Sequence, residues 1–126
     1  MIKVINLKEG VYPDVATFML VHEIEVSKLS DVNVIIAIHG YGSHGQGGEI
    51  KKEVVRQLRV LKSGKQIIDF VKGEQWSDNH KHYSELVKLE PELILHPHLQ
   101  GFNSGVTLVW VKKLRAKLLF FLHKPF

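Results

Sequence analysis

Residues 39–48 form a glycine-rich segment whose composition suits the binding of an anion. Half of its ten residues are glycine, which reaches positive φ angles without a steric penalty and lets another molecule approach the backbone closely. A helix is predicted to begin at about residue 47, so its unpaired N–H groups and positive dipole end would face the same loop. The segment therefore predicts a phosphate- or carboxylate-binding loop with backbone contacts from Gly40, Gly42, Gly45 and Gly47.

Side chains beside this loop add further chemistry. His39 ends a predicted buried strand, where the ligand sites of α/β sheets gather, and an imidazole binds phosphate or transfers a proton near neutral pH. Lys51 and Lys52 follow in the first turns of the predicted helix. The loop lacks the Gly-Lys-Ser/Thr ending of a Walker loop. Its GxGxxG form follows the second strand of a chain too short for a doubled mononucleotide fold, which argues against dinucleotide binding.

Apolar patterns predict the elements that position this loop. Apolar, β-branched runs indicate strands at residues 3–7, 32–38, 66–71 and 106–111, and helical spacing indicates helices at residues 13–29, 47–62 and 82–89. An insertion over residues 72–100 precedes the last strand. This order predicts an α/β fold, a two-layer α/β sandwich with a mixed β-α-β-α-β-β sheet whose first two strands pair in parallel.

The two long predicted helices are recognised by different sets of apolar residues. In the second helix one apolar stripe runs beside a basic face, which is typical of a helix packed on a core. The stripe of the second helix is Ile50, Val54, Val55, Leu58 and Leu61. The periodic residues of the first helix are Val15, Phe18, Met19, His22, Val26 and Leu29.

Length and composition predict one domain, residues 1–111, followed by a basic and then apolar tail, residues 112–126. Cysteine is absent, which excludes disulfides and thiolate metal sites and fits a reducing compartment. Without a signal peptide or an apolar run of about 18 residues, we expect a cytoplasmic protein with no transmembrane segment. The net charge of +4 is concentrated in the tail and in residues 49–65, and local positive charge attracts polyanions.

The loop and its flanks resemble a known family. Residues 38–51, Ile-His-Gly-Tyr-Gly-Ser-His-Gly-Gln-Gly-Gly-Glu-Ile-Lys, are similar to the HGxG loop and following helix of the Smr (small MutS-related) domain. Residues 101–107, Gly-Phe-Asn-Ser-Gly-Val-Thr, resemble the GxNxG segment before the last strand of that family. The resemblance covers about residues 2–111 and places the HGxG motif on His39, Gly40 and Gly42.

This resemblance implies both a fold and a class of function. Smr domains are small α/β sandwiches similar to the C-terminal domain of initiation factor three. Several are endonucleases that nick DNA or cleave RNA, and some are linked to recombination or to ribosome-associated RNA. The resemblance therefore implies DNA or RNA as the partner, hydrolysis of phosphodiester bonds as the activity, and Mg²⁺ or Mn²⁺ as the cofactor of a catalytic member.

The first strand departs from the LDLHG motif of the family. Asn6 stands at the aspartate position, Lys8 at the histidine position, and Glu9 is an extra residue before Gly10. Asn6 and Lys8 remain candidate phosphate contacts, although an amide cannot serve as a general base. The candidate catalytic residues are then His39, to position or protonate a phosphate oxygen, and Glu9, as the remaining carboxylate.

Three functions stay open at this point. The first is an Smr-like nucleic-acid-binding protein that acts as an endonuclease. The second is a binding module without catalysis, recruited to RNA, ribosomes or DNA junctions. The third is a binder of small anions or nucleotides. A steep fall of affinity with salt distinguishes a polynucleotide ligand from a small one.

Two histidine pairs offer imidazoles to zinc or nickel, although solvated loop histidines explain them more simply and we predict no metal site. The pairs are His80 with His82 and His96 with His98. Glu74, Trp76 and Asp78 follow the third strand, where they approach the loop or, for Trp76, pack the insertion on the core. The apolar tail predicts docking on the domain or a homodimer contact, with a membrane-surface anchor as the alternative.

Overall fold

The computed structural model describes residues 1–8, 12–41 and 46–114. Its strands and helices follow one another as β1 (Ile2–Asn6), α1 (Pro13–Ser27), β2 (Val34–Ile38), α2 (Gln46–Ser63), β3 (Ile67–Lys72), α3 (Tyr83–Leu89) and β4 (Val106–Val111). Short 3-10 helices at Gly73–Gln75, Pro91–Leu93 and Pro97–Leu99 lie between β3 and β4. The predicted β-α-β-α-β-β order is confirmed, with boundaries shifted by only one or two residues.

The four strands form one mixed sheet in the order β1-β2-β4-β3. β1 pairs with β2 in parallel, as predicted, and β4 runs antiparallel to both β2 and β3. β1 and β3 are therefore the edge strands, and the ends of β1, β2 and β3 that lead to their loops meet at one end of the sheet. The architecture is a mixed α/β protein compatible with an α/β sandwich.

Both faces of the sheet are covered. Ile35 and Ala37 of β2 pack in the cluster that α1 and α2 fill, whereas Val34 and Ile36 pack in a second cluster on the opposite face. The segment between β3 and β4 contributes Trp76, Leu86, Leu93 and Leu99 to the second cluster, and strand residues complete it. Because successive strand residues point to opposite faces, a strand covered on both sides needs the continuous apolar run seen in the sequence.

The two long helices bury their apolar residues differently. Residues of the predicted stripe of α2, including Ile50, Val54 and Leu58, are buried in the core. In α1 the buried residues are instead Ala16, Leu20, Ile24 and Ser27, and the residues whose spacing predicted the helix lie outward. Phe18 is 73% exposed and Leu29 is 55% exposed. The helix was predicted correctly from residues that do not form its buried face, because α1 is apolar around most of its circumference.

The chain leaving β4 stays bound to the domain as far as it is described. The Lys113 ammonium donates to the carbonyl oxygens of Ser27, at 2.6 Å, and Val32, at 2.9 Å, and so satisfies acceptors at the end of α1. Residues 115–126, on which the predicted docking, homodimer contact and anchor depend, lie outside the described residues. Within the described ranges, no helix combines the length and apolar character needed to cross a bilayer.

Candidate functional site

The ends of β1 and β2 lie side by side and bring two predicted site residues together. The Leu7 N–H donates to the Ile38 carbonyl at 2.8 Å, which holds the two strand ends in register. Gly40 has φ +77°, and a Cβ on it would lie 3.6 Å from Cδ of Lys8. Lys8 therefore extends across Gly40, with its side chain exposed. Glu9, Gly42 and Gly45 lie outside the described residues.

Asn6 shapes the chain as it leaves β1. Its side-chain Oδ1 accepts a hydrogen bond from the Lys8 backbone N–H at 3.0 Å. This is the local turn that asparagine favours, since its short side chain bonds the backbone two residues later. The bond fixes the direction of the chain at Lys8. Asn6 thus ends β1 and contributes to the position of its neighbour. Its predicted contact with phosphate stays a prediction.

His39 is fully buried between the loop and β4. Its Nδ1 lies 3.1 Å from the Gly40 carbonyl oxygen, and its Nε2 lies 2.9 Å from the Thr107 hydroxyl. A carbonyl oxygen only accepts, so Nδ1 carries the proton and Nε2 accepts from Thr107. Burial lowers the pKa of His39, and the bond to Gly40 offsets this only in part. In this position the ring is a neutral, internally bonded group, and its predicted catalytic role stays a prediction.

The segment just before β4, residues 103–105, supports residues 39–41 through hydrogen bonds and direct contact. The backbone N–H groups of His39 and Gly40 both donate to the Gly105 carbonyl at 3.0 Å. The Tyr41 hydroxyl donates to Oδ1 of Asn103 at 2.8 Å, and the same oxygen accepts from the Gly105 N–H at 2.9 Å. A Cβ on Gly105 would come within 3.2 Å of the Tyr41 ring. The sequence predicts only that this segment leads into the last strand. Its role in supporting the loop could not be predicted.

Tyr41 is a strongly exposed aromatic residue at this end of the sheet, with 72% of its surface accessible. Its hydroxyl is tied to Asn103 and its ring lies against Gly105, so the ring is exposed and held at the same time. An aromatic ring held in this way is a surface on which a planar group can stack. The contacts that hold the ring come from residues more than 60 positions away and could not be predicted from the sequence.

Lys51 does not present a free charge to the loop. Its ammonium donates to both carboxylate oxygens of Glu74, at 2.9 and 2.7 Å, and to the Ser104 carbonyl at 2.9 Å. Burial raises the pKa of Glu74, but the hydrogen bond from Lys51 and nearby positive charge outweigh it, so the pKa is lowered. The predicted approach of Glu74 to this end of the sheet is confirmed. It neutralises the lysine that was predicted to hold phosphate.

Lys52 lies on the other side of α2, in a hollow of about 780 Å³ between the first turns of α1 and α2. Three carboxylates, those of Asp14, Glu49 and Glu53, line the same hollow. These acids make the surroundings of Lys52 unfavourable for an anion, since like charges repel. Gly47 lies in the first turn of α2. Its predicted backbone contact with a ligand stays a prediction.

The histidine pairs form two copies of one local turn. Nδ1 of His80 accepts from the backbone N–H of His82 at 3.1 Å, and Nδ1 of His96 accepts from that of His98 at 3.3 Å. In each pair, the first histidine therefore uses one ring nitrogen to accept a backbone hydrogen bond. Within residues 1–8, 12–41 and 46–114, no three His, Cys, Asp or Glu side chains are grouped so that they could hold a metal ion.

Trp76 and Asp78, which follow β3, lie with the insertion. Trp76 is 6% exposed and its ring packs 5.0 Å from that of Tyr83, which confirms that it pins the insertion to the core. Asp78 lines a separate hollow of about 230 Å³ that also contains Trp76 and Phe102. It therefore lies with the insertion, away from Lys51.

Comparison of the chain with known proteins finds no matching family model, no matching curated protein and no matching solved structure. The similarity to the Smr domain therefore rests on the motif residues alone. What the geometry adds to it is the contact of Lys8 with Gly40, the internal bonding of His39 and the exposed, braced ring of Tyr41.

Proposed function

We propose that this chain is an Smr-like nucleic-acid-binding protein that holds a backbone phosphate at the paired ends of β1 and β2. The observation that carries the proposal is the position of Lys8 across Gly40. The Lys8 ammonium has no hydrogen-bond or ion-pair partner among the described residues, so its charge is available to a ligand. Helix α2 begins at Gln46, just after this loop, and its N-terminal dipole favours the same anion.

Tyr41 supports a nucleic acid over a simple anion. An isolated phosphate has no use for an aromatic surface, whereas a nucleotide next to a bound phosphate presents a base that can stack. Base stacking on an aromatic side chain is worth about 1–3 kcal/mol per base. The bond from Tyr41 to Asn103 holds the ring before the ligand arrives, which reduces the entropy lost on binding.

The site supports binding better than cleavage. A general acid or base must reach the proton that it transfers, and both ring nitrogens of His39 already bond to Gly40 and Thr107. The first strand also carries Asn6 and Lys8 where the Smr motif has an acid and a histidine. We therefore propose the non-catalytic alternative as the function, with DNA or RNA as the ligand.

Fluorescence anisotropy with a labelled 20-nucleotide dT strand tests the proposal, with the corresponding rU strand in parallel. We expect Lys8→Gln to weaken binding about five- to tenfold at 0.1 M salt, because one phosphate contact is lost. Lys3→Gln is the matched control, since Lys3 lies on β1, a few residues before Lys8, and is paired with Glu23 at 2.5 Å. Tyr41→Ala should weaken binding at least fivefold, whereas Tyr41→Phe should keep most of the affinity.

Three results would contradict the proposal. Equal affinities for Lys8→Gln and Lys3→Gln would remove the strand ends from the binding surface. An affinity that does not change between 50 and 200 mM salt would point to a small ligand instead, since a polyanion ligand gives a steep salt dependence. Nicking of plasmid DNA or cleavage of RNA with Mg²⁺ or Mn²⁺ that is lost in His39→Ala would show that the site is catalytic.

A further inference from the structure

One edge of β3 is not covered by any strand of the described chain. β3 is last in the sheet order and pairs only with β4 along the described chain. Its pairing slips between Ile67 and Asp69, so a bulge places Asp69 opposite Trp110. The Asp69 carboxylate accepts from the Phe70 N–H at 2.7 Å and from Lys62 at 3.0 Å. These two bonds occupy a backbone donor of the edge and draw Lys62 across it, which hinders the addition of another strand.

A groove of about 620 Å³ runs along this edge, between α2 and the residues that follow β3. We call it the edge groove, and its charged lining is Arg59, Lys62, Asp69, Lys72, His80 and Lys81. Asp69 is its only carboxylate among the described residues. Asp69, Phe70 and Lys72 of β3 line the groove, which therefore follows about 10 Å of the strand.

The charges of the edge groove do not cancel. Asp69 is already engaged by Lys62 and by His82, whose Nε2 lies 2.6 Å from its Oδ2. Arg59, Lys72 and Lys81 have no hydrogen-bond or ion-pair partner among the described residues. They come from α2, from the end of β3 and from the following loop, so both walls of the groove present positive charge. Lys72 also interacts electrostatically with Glu74, without an ion pair between the two side chains.

We propose that the edge groove binds the sugar-phosphate backbone of a nucleic-acid strand, separately from the strand ends that hold Lys8. Three cations from separate elements along one groove suit a ligand with a repeated negative charge. An acidic peptide would bind an edge strand by extending the sheet, and Asp69 and Lys62 obstruct that mode here. The inference extends the proposed function but rests on different residues, so either can fail alone.

Anisotropy with the same 20-nucleotide dT strand tests the groove. We expect Lys72→Gln with Lys81→Gln to weaken binding at least tenfold at 0.1 M salt. The slope of log K against log salt should become shallower by about 1.4, since each single-strand phosphate contact contributes about 0.7. Lys3→Gln with Lys88→Gln removes the same charge from β1, at the opposite edge of the sheet, and from α3, and should change affinity less than threefold. Thermal melts check that each protein is folded.

The outcomes separate the two proposals. Equal affinities and slopes for the groove variant and its control would overturn the groove while leaving the test of Lys8 intact. A loss in the groove variant with no loss in Lys8→Gln would support the groove and contradict the binding of phosphate at the strand ends. A 20-residue polyglutamate that displaces dT as effectively as unlabelled dT would overturn the nucleic-acid assignment in favour of an acidic protein segment.

Discussion

The strand ends and the edge groove hold similar numbers of basic residues but differ in how many of those charges are free. At the strand ends, the charge of Lys51 is neutralised by Glu74 and Lys52 lies among three acids. Lys8 is therefore the lysine whose charge is available to a ligand. In the edge groove a single carboxylate faces the cations, and it is itself shared between two partners. The number of basic residues near a loop therefore does not determine the net charge that a ligand encounters there.

The two regions also differ in rigidity of support. The strand-end loop is tied to Gly105 and Asn103 by backbone and side-chain bonds, and its one exposed ring is held in place. Arg59, Lys72 and Lys81 of the groove extend from separate elements and have no such bonds among the described residues. We therefore expect the strand ends to select the orientation of a bound nucleotide and the groove to add affinity that depends strongly on salt.

The largest effect is expected from a change that removes the frame common to both regions. Gly73 directly follows β3 and lies beside the segment that supports the loop, and a Cβ there would lie 1.9 Å from the Asn103 carbonyl oxygen. Gly73→Ala should destabilise the protein by about 3–5 kcal/mol, because backbone must move. Urea unfolding measures this. Gly64→Ala is the control, since its nearest contact is an ordinary 3.5 Å, and it should change stability by less than about 1 kcal/mol.

An intermediate effect is expected from pH, with a contribution from each region. Burial is the largest cause that lowers the pKa of His39 at the strand ends and of His80 beside the groove. A lowered histidine pKa means that the unfolded chain binds more protons, so stability should fall as the pH drops through the ordinary value of 6.5. Asp69 and Glu74 have lowered pKa values too, but their ordinary values of 3.8 and 4.5 place their loss of stability at lower pH.

A conservative variant divides this pH dependence between the regions. An asparagine at position 80 offers an oxygen to the His82 N–H in place of the imidazole nitrogen and cannot be protonated. His80→Asn should therefore reduce the stability loss between pH 7 and pH 5 without removing it, because burial also lowers the pKa of His39 and of His96. Urea midpoints at the two pH values give the measurement. An unchanged loss would show that His80 does not contribute.

The smallest effect is expected from restoring a charge to the strand ends. Glu74→Gln removes the carboxylate that neutralises Lys51 and should strengthen binding of the dT strand about two- to fivefold at 0.1 M salt. Glu85→Gln, on the exposed side of α3, makes the same change in net charge. If both variants bind equally well, overall charge explains the effect and the contrast between the two regions is weakened.

Much of the fold could be predicted because its signals are local. The β-branched run of β2 and the amphipathic stripe of α2 each specify an element from neighbouring residues, and the alternation of strands and helices gave the parallel pair. The face of α1 could not be predicted, since apolar residues surround the helix and only tertiary packing chooses between Leu20 and Phe18. The bulge in β3 is likewise set by its partner strand.

The candidate site was predicted in position more than in chemistry. The glycine pattern located the loop, and the parallel pairing of β1 with β2 brought Lys8 to it. The partners that decide its chemistry are distant in sequence: Thr107 for His39, Glu74 for Lys51 and Asn103 for Tyr41. Hydrogen bonds of this kind leave no periodic signal, so sequence patterns could not show which charges and rings remain free.

The most direct test of phosphate binding at the strand ends is an NMR titration of ¹⁵N-labelled protein with the dT strand. We expect the largest changes in amide chemical shift at Lys8, Gly40 and Tyr41. A second set of changes, more sensitive to salt, is expected at Lys72 and Lys81. Largest changes on the exposed face of α1, around Phe18, with none at Gly40, would contradict it.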